Sequence, residues 1–538
     1  MPANNFPRTL PPERAAQPRS RTEGAWGWFC DLSLTLRAFV VLGALFALVC
    51  VFFAEENWRG RRAWENCRRE LEAKGIALDW AKFVPPPVAD EQNFAMTPFL
   101  APLFDFTPKP REPGQPRWRD MEGHDRAANF AAVLLPTNNK GELPPTIFDG
   151  HMTDLEGALS LLRSQTNSVW VPGASNRIQA ATAVLTALEP YNAVLDELRA
   201  ASRRPECRFN VEYDAEDPVS ILLPHYIVLQ RVSHVLQVHA SAELVLDNSK
   251  AAFEDIRLML YLANSTQGEP FLMSGMSSGT MLKRTEQILW EGLAGRKWSE
   301  AQLKDLQARL ANFAILKRLA LGLEAERAAF GNTVFRYIRS HKNALRNLVS
   351  SEAAAGSLAY LLAGPDGWLY QEQAVYQRLC DERLVTCFEP EKGRVFPSVT
   401  EENKKALERE LSGSSFWHHT GMSKLLLANM LKLFQRAASN QERLDATIVA
   451  CALERYRLAN GKYPDALGAL VPQFGDKIPM DVCDGQPLRY RLRPDGGFLL
   501  YGVGWNEKDD GGTVVMREDG SEPDPDKTDW VWPAYPKI

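Results

Sequence analysis

The run Ala38 to Ala54, AFVVLGALFALVCVFFA, is seventeen residues without a formal charge, and no other stretch constrains the chain as strongly. Taken back through Leu34, Thr35 and Leu36 it reaches about twenty residues, which at roughly 1.5 Å each cross a hydrocarbon layer of about 30 Å. Arg37 interrupts the extension, but an arginine so near a helix end reaches the headgroups by snorkelling. A cleavable signal wants small residues around its cleavage point. Here the run ends Phe52-Phe53-Ala54-Glu55-Glu56, so the expectation is an uncleaved single-span anchor over 32–55. No later segment has the same apolar length, so everything beyond it hangs from one helix.

The rest is large enough for several cores. The chain has 538 residues, 45% of them hydrophobic, and its 62 basic and 67 acidic residues leave a net charge of −5 with no long block of either sign. That balance lacks the electrostatic footprint of a nucleic-acid binder, so none is expected as a partner. Orientation is contested. Arg19, Arg21 and Arg37 precede the anchor, whereas Arg59, Arg61, Arg62, Arg68, Arg69 and Lys74 follow it, which by the positive-inside rule points the large part into the cytoplasm. Long domains translocate largely regardless of such counts. Six cysteines lie beyond the anchor, scattered from Cys67 to Cys483; Cys380 and Cys387 are near enough to bridge, and buried thiols are the plainer expectation.

In chain order, residues 1–31 open with a proline- and arginine-bearing tail that cannot bury a core and is expected to be disordered. Residues 56–120 form a stalk and an arm. Trp58 to Lys74 alternates charge at helical spacing and stops at Gly75, reading as a solvated helix. From 80 to 120 so many prolines exclude regular helix, leaving an extended arm laid over its neighbour through Phe94, Met96, Phe99, Leu100, Leu103 and Phe104. From 121 to 440 the pattern is helical. Thr153 to Glu156 and Ser299 to Gln302 have capping-box spacing, and Leu303, Leu306, Leu310, Phe313, Leu316, Ala320 and Leu323 draw one buried stripe. Short breaks between helices predict a bundle or an irregular stack of helical hairpins. The expected fold class is therefore mainly α: one transmembrane helix, a large helical body and a small C-terminal α+β module with an antiparallel sheet.

That module occupies 441–538. Leu444, Ile448, Cys451, Ala452 and Ala459 share one helical face, with Arg443, Glu454 and Arg457 opposite and Arg455 as an intruder that has to snorkel. Asn460-Gly461 stops the helix. Period two then appears at Leu488, Tyr490 and Leu492; Pro494-Asp495-Gly496-Gly497 makes a turn; Phe498 to Tyr501 returns, and Thr513 to Met516 is the expected third strand. The tail is expected to dock back through Trp530 and Trp532.

The stretch Arg443 to Val471, followed by Pro479-Met480-Asp481, Gly485, Pro487-Leu488-Arg489-Tyr490, Gly496-Gly497-Phe498-Leu499-Leu500-Tyr501 and Gly504, resembles the globular C-terminal part of type II secretion pseudopilins. The likeness covers about 75 residues, with one residue more than the family pattern between Asp481 and Gly485. The anchor lacks the family's processing site, a Gly before Phe and a Glu five residues into the apolar helix, so a filament subunit is not implied. The whole chain is similar in organisation to large membrane-anchored proteins of unknown role in Planctomycetes and Verrucomicrobia. The resemblance implies a bacterial inner-membrane protein with its large part in the periplasm and with other envelope proteins as partners. Related pseudopilins bind calcium after the last strand; the corresponding loop here offers Asn506, Asp509 and Asp510 as oxygen ligands, with Lys508 against it.

Catalytic signals are weak. Gly275-Met276-Ser277-Ser278-Gly279 satisfies G-x-S-x-G, but a nucleophile elbow needs a strand before the serine and a helix after it, and the preceding residues are too few for a central strand. His234 and His239 sit half a turn apart, His239 and Glu243 are an i, i+4 pair, His418 and His419 are adjacent, and Glu324 and Glu326 face differently; none has metal-ligand spacing. The expectation is a non-catalytic interaction protein. The alternative is a serine hydrolase using Ser277.

Overall fold

The computed structural model describes residues 28–29, 32–107, 117–137, 150–165, 173–215, 221–342, 360–362, 364–427, 430–518 and 523–533. The disordered tail expected over 1–31 lies almost entirely outside these. Helix α1, Leu34–Ala73, is unbroken for 40 residues and begins at a Ser33 cap whose hydroxyl accepts the Leu36 N–H. Its apolar half has no buried residue, Val40 and Phe53 being partly covered, and is long and apolar enough to cross a membrane. Its end is a Schellman motif. Gly75 takes φ +76°, its N–H bonds Glu72 O, and the Ile76 N–H bonds Leu71 O at 3.0 Å.

The second half of α1 is not the solvated stalk that its charge alternation suggests. It packs along α12, Asp366–Leu379. Gly60 meets Gly367, the Cys67 thiol points at Ala374 O (3.8 Å), and Lys74 pairs with Asp381 at 2.5 Å just past the end of α12. All three pairs are 307 positions apart, so the helices run parallel with a seven-residue seam, the periodicity of a coiled-coil contact. Glutamates and arginines on the outer face pair with one another and mask this seam in the sequence.

The proline-rich arm contains short 3-10 turns, Trp80–Phe83, Phe94–Met96 and Ala101–Phe104 among them, because proline fixes φ without supplying the amide that a helix needs. It does not lie over the body. Phe94, Phe99, Leu100 and Leu103 are fully buried members of the main core, while Met96 stays partly exposed. The body satisfies the arm's backbone: Phe94 N–H bonds Glu206 O at 2.8 Å and Phe99 N–H bonds Glu197 Oε1 at 2.8 Å. At about 1.5–3 kcal/mol per buried large apolar side chain, these four residues hold the arm as firmly as any helix.

That core is built from α2 (Met121–Ala128), α3 (Leu155–Gln165), α4 (Arg177–Leu188), α5 (Asn192–Ala201), α6 (His225–Val245), α7 (Ser249–Ser265), α8 (Leu272–Ala294) and α9 (Glu300–Leu310). Helix α6 packs on α4, α7 and α8 and is buried on most of its circumference, polar residues such as His225, Ser233 and Ser241 included. Pro190 sits in a 3-10 turn that divides α4 from α5, and Pro224 caps α6. A second core gathers α10 (Ile315–Ala328), α11 (Phe335–Ser340), α12, α13 (Pro397–Ser412) and, after the turn α14 (Ser415–His418), helix α15 (Gly421–Leu427). The expected single stripe over 303–323 is thus split. Residues 311–314 break the helix, Leu303, Leu306, Leu310 and Phe313 enter the first core, and Leu316 enters the second. The Ser299 capping box is present with both of its reciprocal bonds.

Helix α16, Leu431–Asn460, carries the chain across residue 440 into the C-terminal module and ends at Gly461, φ +80°. After two short antiparallel pairs, β1 (Phe106–Thr107) with β2 (Arg117–Trp118) and β3 (Phe388–Glu389) with β4 (Arg394–Val395), strands β5 (Arg489–Leu492), β6 (Phe498–Gly502) and β7 (Trp530–Trp532) form an antiparallel sheet in that order, with Tyr490 opposite Leu500 and Leu500 opposite Trp532. The third strand is therefore not Thr513 to Met516, which lies outside any strand. Trp532 wins the edge of β6 by stacking on Phe498 (6.1 Å, 7°) and donating its indole N–H to Thr447 at 2.9 Å. Arg455 does not snorkel either. It is buried and bonds Glu300 (2.9 Å), Gln307 (2.8 Å) and Phe474 O (3.2 Å), while Glu454, expected on the polar face, is buried against Arg457 and Tyr463. Ala459 is exposed.

Candidate functional site

Three places hold the residues that matter for function: the histidines and serine of the body, the acidic loop of the C-terminal module, and the junction where α1 leaves its apolar half.

Ser277 lies in the second turn of α8 and is buried, and its hydroxyl accepts from the Gln230 amide at 3.4 Å. The whole G-x-S-x-G segment is helical, and Gly279 is a glycine because Asn440 occupies the space of a Cβ. Ser277 therefore sits within a helix and not at the strained strand-to-helix turn that a nucleophile elbow requires. The expected His239–Glu243 pair is present, and His239 has a nearer partner as well. His239 takes its short bond from Asp255 (2.6 Å), which Arg199 also engages, and lies 3.8 Å from Glu243. Burial opposes its charge, but the Asp255 bond and charge win and raise its pKa. His234 bonds Gln237, and burial lowers it to about 4. His418 bonds Ser414 O, whereas His419 turns toward Trp368. All described cysteines are free thiols, Cys380 and Cys387 included.

His225 carries no local sequence signal. Its ring is fully buried, stacks on Phe209 (4.2 Å) and lies 2.9 Å from Glu269, which also accepts the Tyr226 hydroxyl. Glu269 stands between Gly268 and Pro270, where a charged residue reads in sequence as a solvated turn. Nearby, a cavity of about 830 Å³ opens between the arm and α11, with Trp80, Arg208, Tyr213, Arg336 and His341 among its lining residues.

Of the pair Glu324 and Glu326, the first is exposed and the second turns in, accepting the Leu272 N–H at the start of α8 (3.0 Å). Burial pushes Glu326 up to about 7, with the Leu272 amide pulling back. A folded pKa above the unfolded value near about 4.3 means the folded chain binds the proton more tightly. The stability from this group is complete below that unfolded value and is lost as pH rises through 7. Glu326→Gln keeps an oxygen for Leu272 and has no charge to bury. At pH 8 its thermal midpoint is expected to exceed that of the wild type, with the advantage fading toward pH 5. An advantage independent of pH would disprove the assignment.

In the acidic loop, Asn506 and Asp510 meet through a side-chain bond of 3.2 Å. Asp509 accepts the Tyr501 hydroxyl and the Gly511 N–H, each at 3.0 Å, with the Arg489 guanidinium 3.6 Å from its other oxygen. The three expected calcium ligands are thus engaged by one another and by Tyr501, Gly511 and Arg489. Among the described residues no group of three or more His, Cys, Asp or Glu side chains is placed to hold a metal. The buried carboxylates of this module act as ties instead. Asp481 accepts the Cys483 and Val503 N–H groups and Arg489, all at 2.8 Å, and Glu442 of α16 accepts the Val482 N–H at 2.9 Å. Burial, then the Asp481 charge, holds Glu442 well above the ordinary carboxylate range. Gly502 on β6 leaves the room these two carboxylates need, so the helix and the sheet are joined at one polar point.

Comparison with protein-family models, curated proteins and solved structures found no match.

At the membrane end, Glu56 is buried although it closely follows the apolar run. Its carboxylate accepts the Trp368 indole N–H (3.0 Å), the Gln371 amide (3.1 Å) and Arg59 (2.6 Å), and Asn57 accepts the Gly367 N–H (2.7 Å). A carboxylate with three donors is well hosted out of water. The arrangement welds the exit of α1 to the start of α12.

Proposed function

We propose that this chain is a membrane-tethered protein of the bacterial envelope that works by protein interaction. In this reading α1 crosses the inner membrane once, the body lies on the periplasmic side, and the C-terminal module, similar to the globular part of pseudopilins, is the recognition end. The observation that carries the reading is the double character of α1: one half apolar with no buried residue, the other packed on α12 in a seven-residue seam. Such a helix fixes a body at a set height above a bilayer, a geometry suited to presenting a surface to other envelope proteins. The module supports the same reading, since Glu442 and Trp532 fix it to α16 through the Val482 N–H and Thr447, and Asp481 accepts the Val503 N–H within it. The basic residues after the anchor argue for the opposite orientation, so topology is the decisive measurement. The full chain is expected in the membrane pellet after alkaline wash and to be digested by protease added to spheroplasts. Recovery in the aqueous fraction would remove the tether, and protection in intact spheroplasts would place the body in the cytoplasm and remove the secretion-related role.

A further inference from the structure

We infer that the body rests on the bilayer through a second contact, in which the loop Gly413–Thr420, led by Trp417, sits in the lipid headgroup layer. The inference deepens the reading of α1 as a membrane span and rests on it.

The argument is one of height along α1. The apolar run ends at Ala54, and Phe52 lies two residues before that end, about 3 Å deeper along the helix. The Phe52 ring packs edge-on against Trp368 (6.2 Å), so this indole of the body is level with the edge of the hydrocarbon. Trp368 packs in turn against His419 (6.5 Å), and the charges nearest His419 include Glu56 and Arg59, roughly one turn beyond the apolar end. His419 therefore stands within the headgroup layer, which adds roughly 5–7 Å to each side of the hydrocarbon. Trp417 is two residues away, at most about 7.6 Å of chain.

Trp417 is 76% exposed, the most exposed tryptophan among the described residues outside α1 and its approach. A large indole in water is unfavourable, whereas the headgroup layer solvates both its apolar body and its N–H. The loop that presents it is pinned. Glu372, fully buried, accepts the Gly421 and Met422 N–H groups (2.7 and 2.9 Å), Lys424 bonds Gly413 O (2.9 Å), and His419 takes the left-handed conformation at φ 50°. A pinned loop gives up little entropy on meeting lipid. Trp58, 60% exposed on α1 with Arg62 over its ring (5.3 Å), lies at a neighbouring height and gives α1 its own interfacial residue.

The test uses the full chain in native membranes or in nanodiscs of phosphatidylethanolamine and phosphatidylglycerol. A photo-cross-linking amino acid is placed singly at 46, in the exposed apolar half; at 417; and at 178, an exposed position on α4 in the other core. Lipid adducts are then counted by mass spectrometry. Adducts are expected at 46 and at comparable yield at 417, with background at 178. Adducts at 46 and background at 417 overturn the seating while the anchor stands; background at both 46 and 417 removes the anchor as well. Equal yields at 417 and 178 also overturn it, because contact is then not confined to this rim. All three positions are exposed, so none of the variants is expected to unfold the protein.

Discussion

Glu291→Leu is expected to release α3 and α4 from the body, with hydrogen exchange in both helices rising on the order of 10²- to 10³-fold. Glu291 is nearly fully buried on α8 and gathers partners from three directions. One oxygen accepts the Thr153 N–H (2.8 Å), the Thr153 hydroxyl (2.6 Å) and the Gln287 amide (2.9 Å); the other accepts the Ser241 hydroxyl (2.6 Å) and lies 3.8 Å from Arg177. Thr153 precedes α3, Arg177 opens α4 and Ser241 belongs to α6, so a single carboxylate ties these helices to α8. Leucine fills the volume but leaves the Thr153 N–H without its acceptor and removes the charge beside Arg177, which keeps its bond to Thr153 O (2.9 Å). Hydroxyls can rotate to new partners; an amide cannot. Losing one partner of a buried charged network costs about 3–4 kcal/mol, against about 1–2 kcal/mol for Glu291→Gln, which keeps one oxygen and offers Ser241 an N–H. A graded response, Leu worse than Gln, is the signature. Equal effects from the two would mean that shape, and not hydrogen bonding, holds this point.

Glu291 also shows why part of the fold could be read from sequence and part could not. The box at Ser299 is closed by residues three apart, so spacing alone predicts it, and it is present. The similar spacing at Thr153 misleads. Asp154 is the residue that caps α3, accepting the Gly157 N–H at 2.8 Å, and Thr153 is committed to a glutamate 138 positions away. Two adjacent capping residues satisfy the same local rule, and a distant partner decides between them. The same limit applies to α1. Its apolar half is legible because a bilayer imposes a length, but its docking half pairs with α12 across 307 positions, and its outward arginines and glutamates conform to the pattern of a solvated helix.

In the C-terminal module the turn at Gly496 and strands β5 and β6 follow from alternation and turn chemistry. The third strand does not, since Thr513 to Met516 has the better β composition and Trp530–Trp532 the better packing. Local propensity loses there to a buried stack. The candidate sites divide in the same way. Ser277 was already doubtful from its surroundings, because an elbow is a local device whose flanking strand was missing. Nothing local marks His225, Glu269, Glu372 or Glu442, whose partners come from other helices; each reads in sequence as an ordinary polar residue.

Gly60→Ala is expected to open the seam between α1 and α12, although in an isolated helix the same substitution is favourable by about 1 kcal/mol. A Cβ on Gly60 falls under 3.0 Å from the carbonyl oxygen, carbon and Cα of Gly367, and a Cβ on Gly367 is similarly close to the Glu56 carbonyl. These are backbone atoms of two helices, so no side-chain rotation makes room and the axes must separate. Overpacking of this kind costs about 1–3 kcal/mol, and separation also strains the Trp368–Glu56 and Gly367–Asn57 bonds, each worth about 1 kcal/mol. The clash outweighs the propensity gain. Gly43→Ala supplies the control, since it lies in the apolar half with nothing within 4 Å of its Cβ and keeps the favourable term alone. Trypsin cleavage at Arg59, Arg61 and Arg62 in reconstituted protein reads the result: faster for Gly60→Ala and Gly367→Ala, unchanged or slower for Gly43→Ala. The double variant Gly60→Ala/Gly367→Ala is expected to fall short of the sum of its parts, because one separation relieves both clashes. Full additivity would mean that the two glycines act independently and that no shared seam holds the body to its anchor.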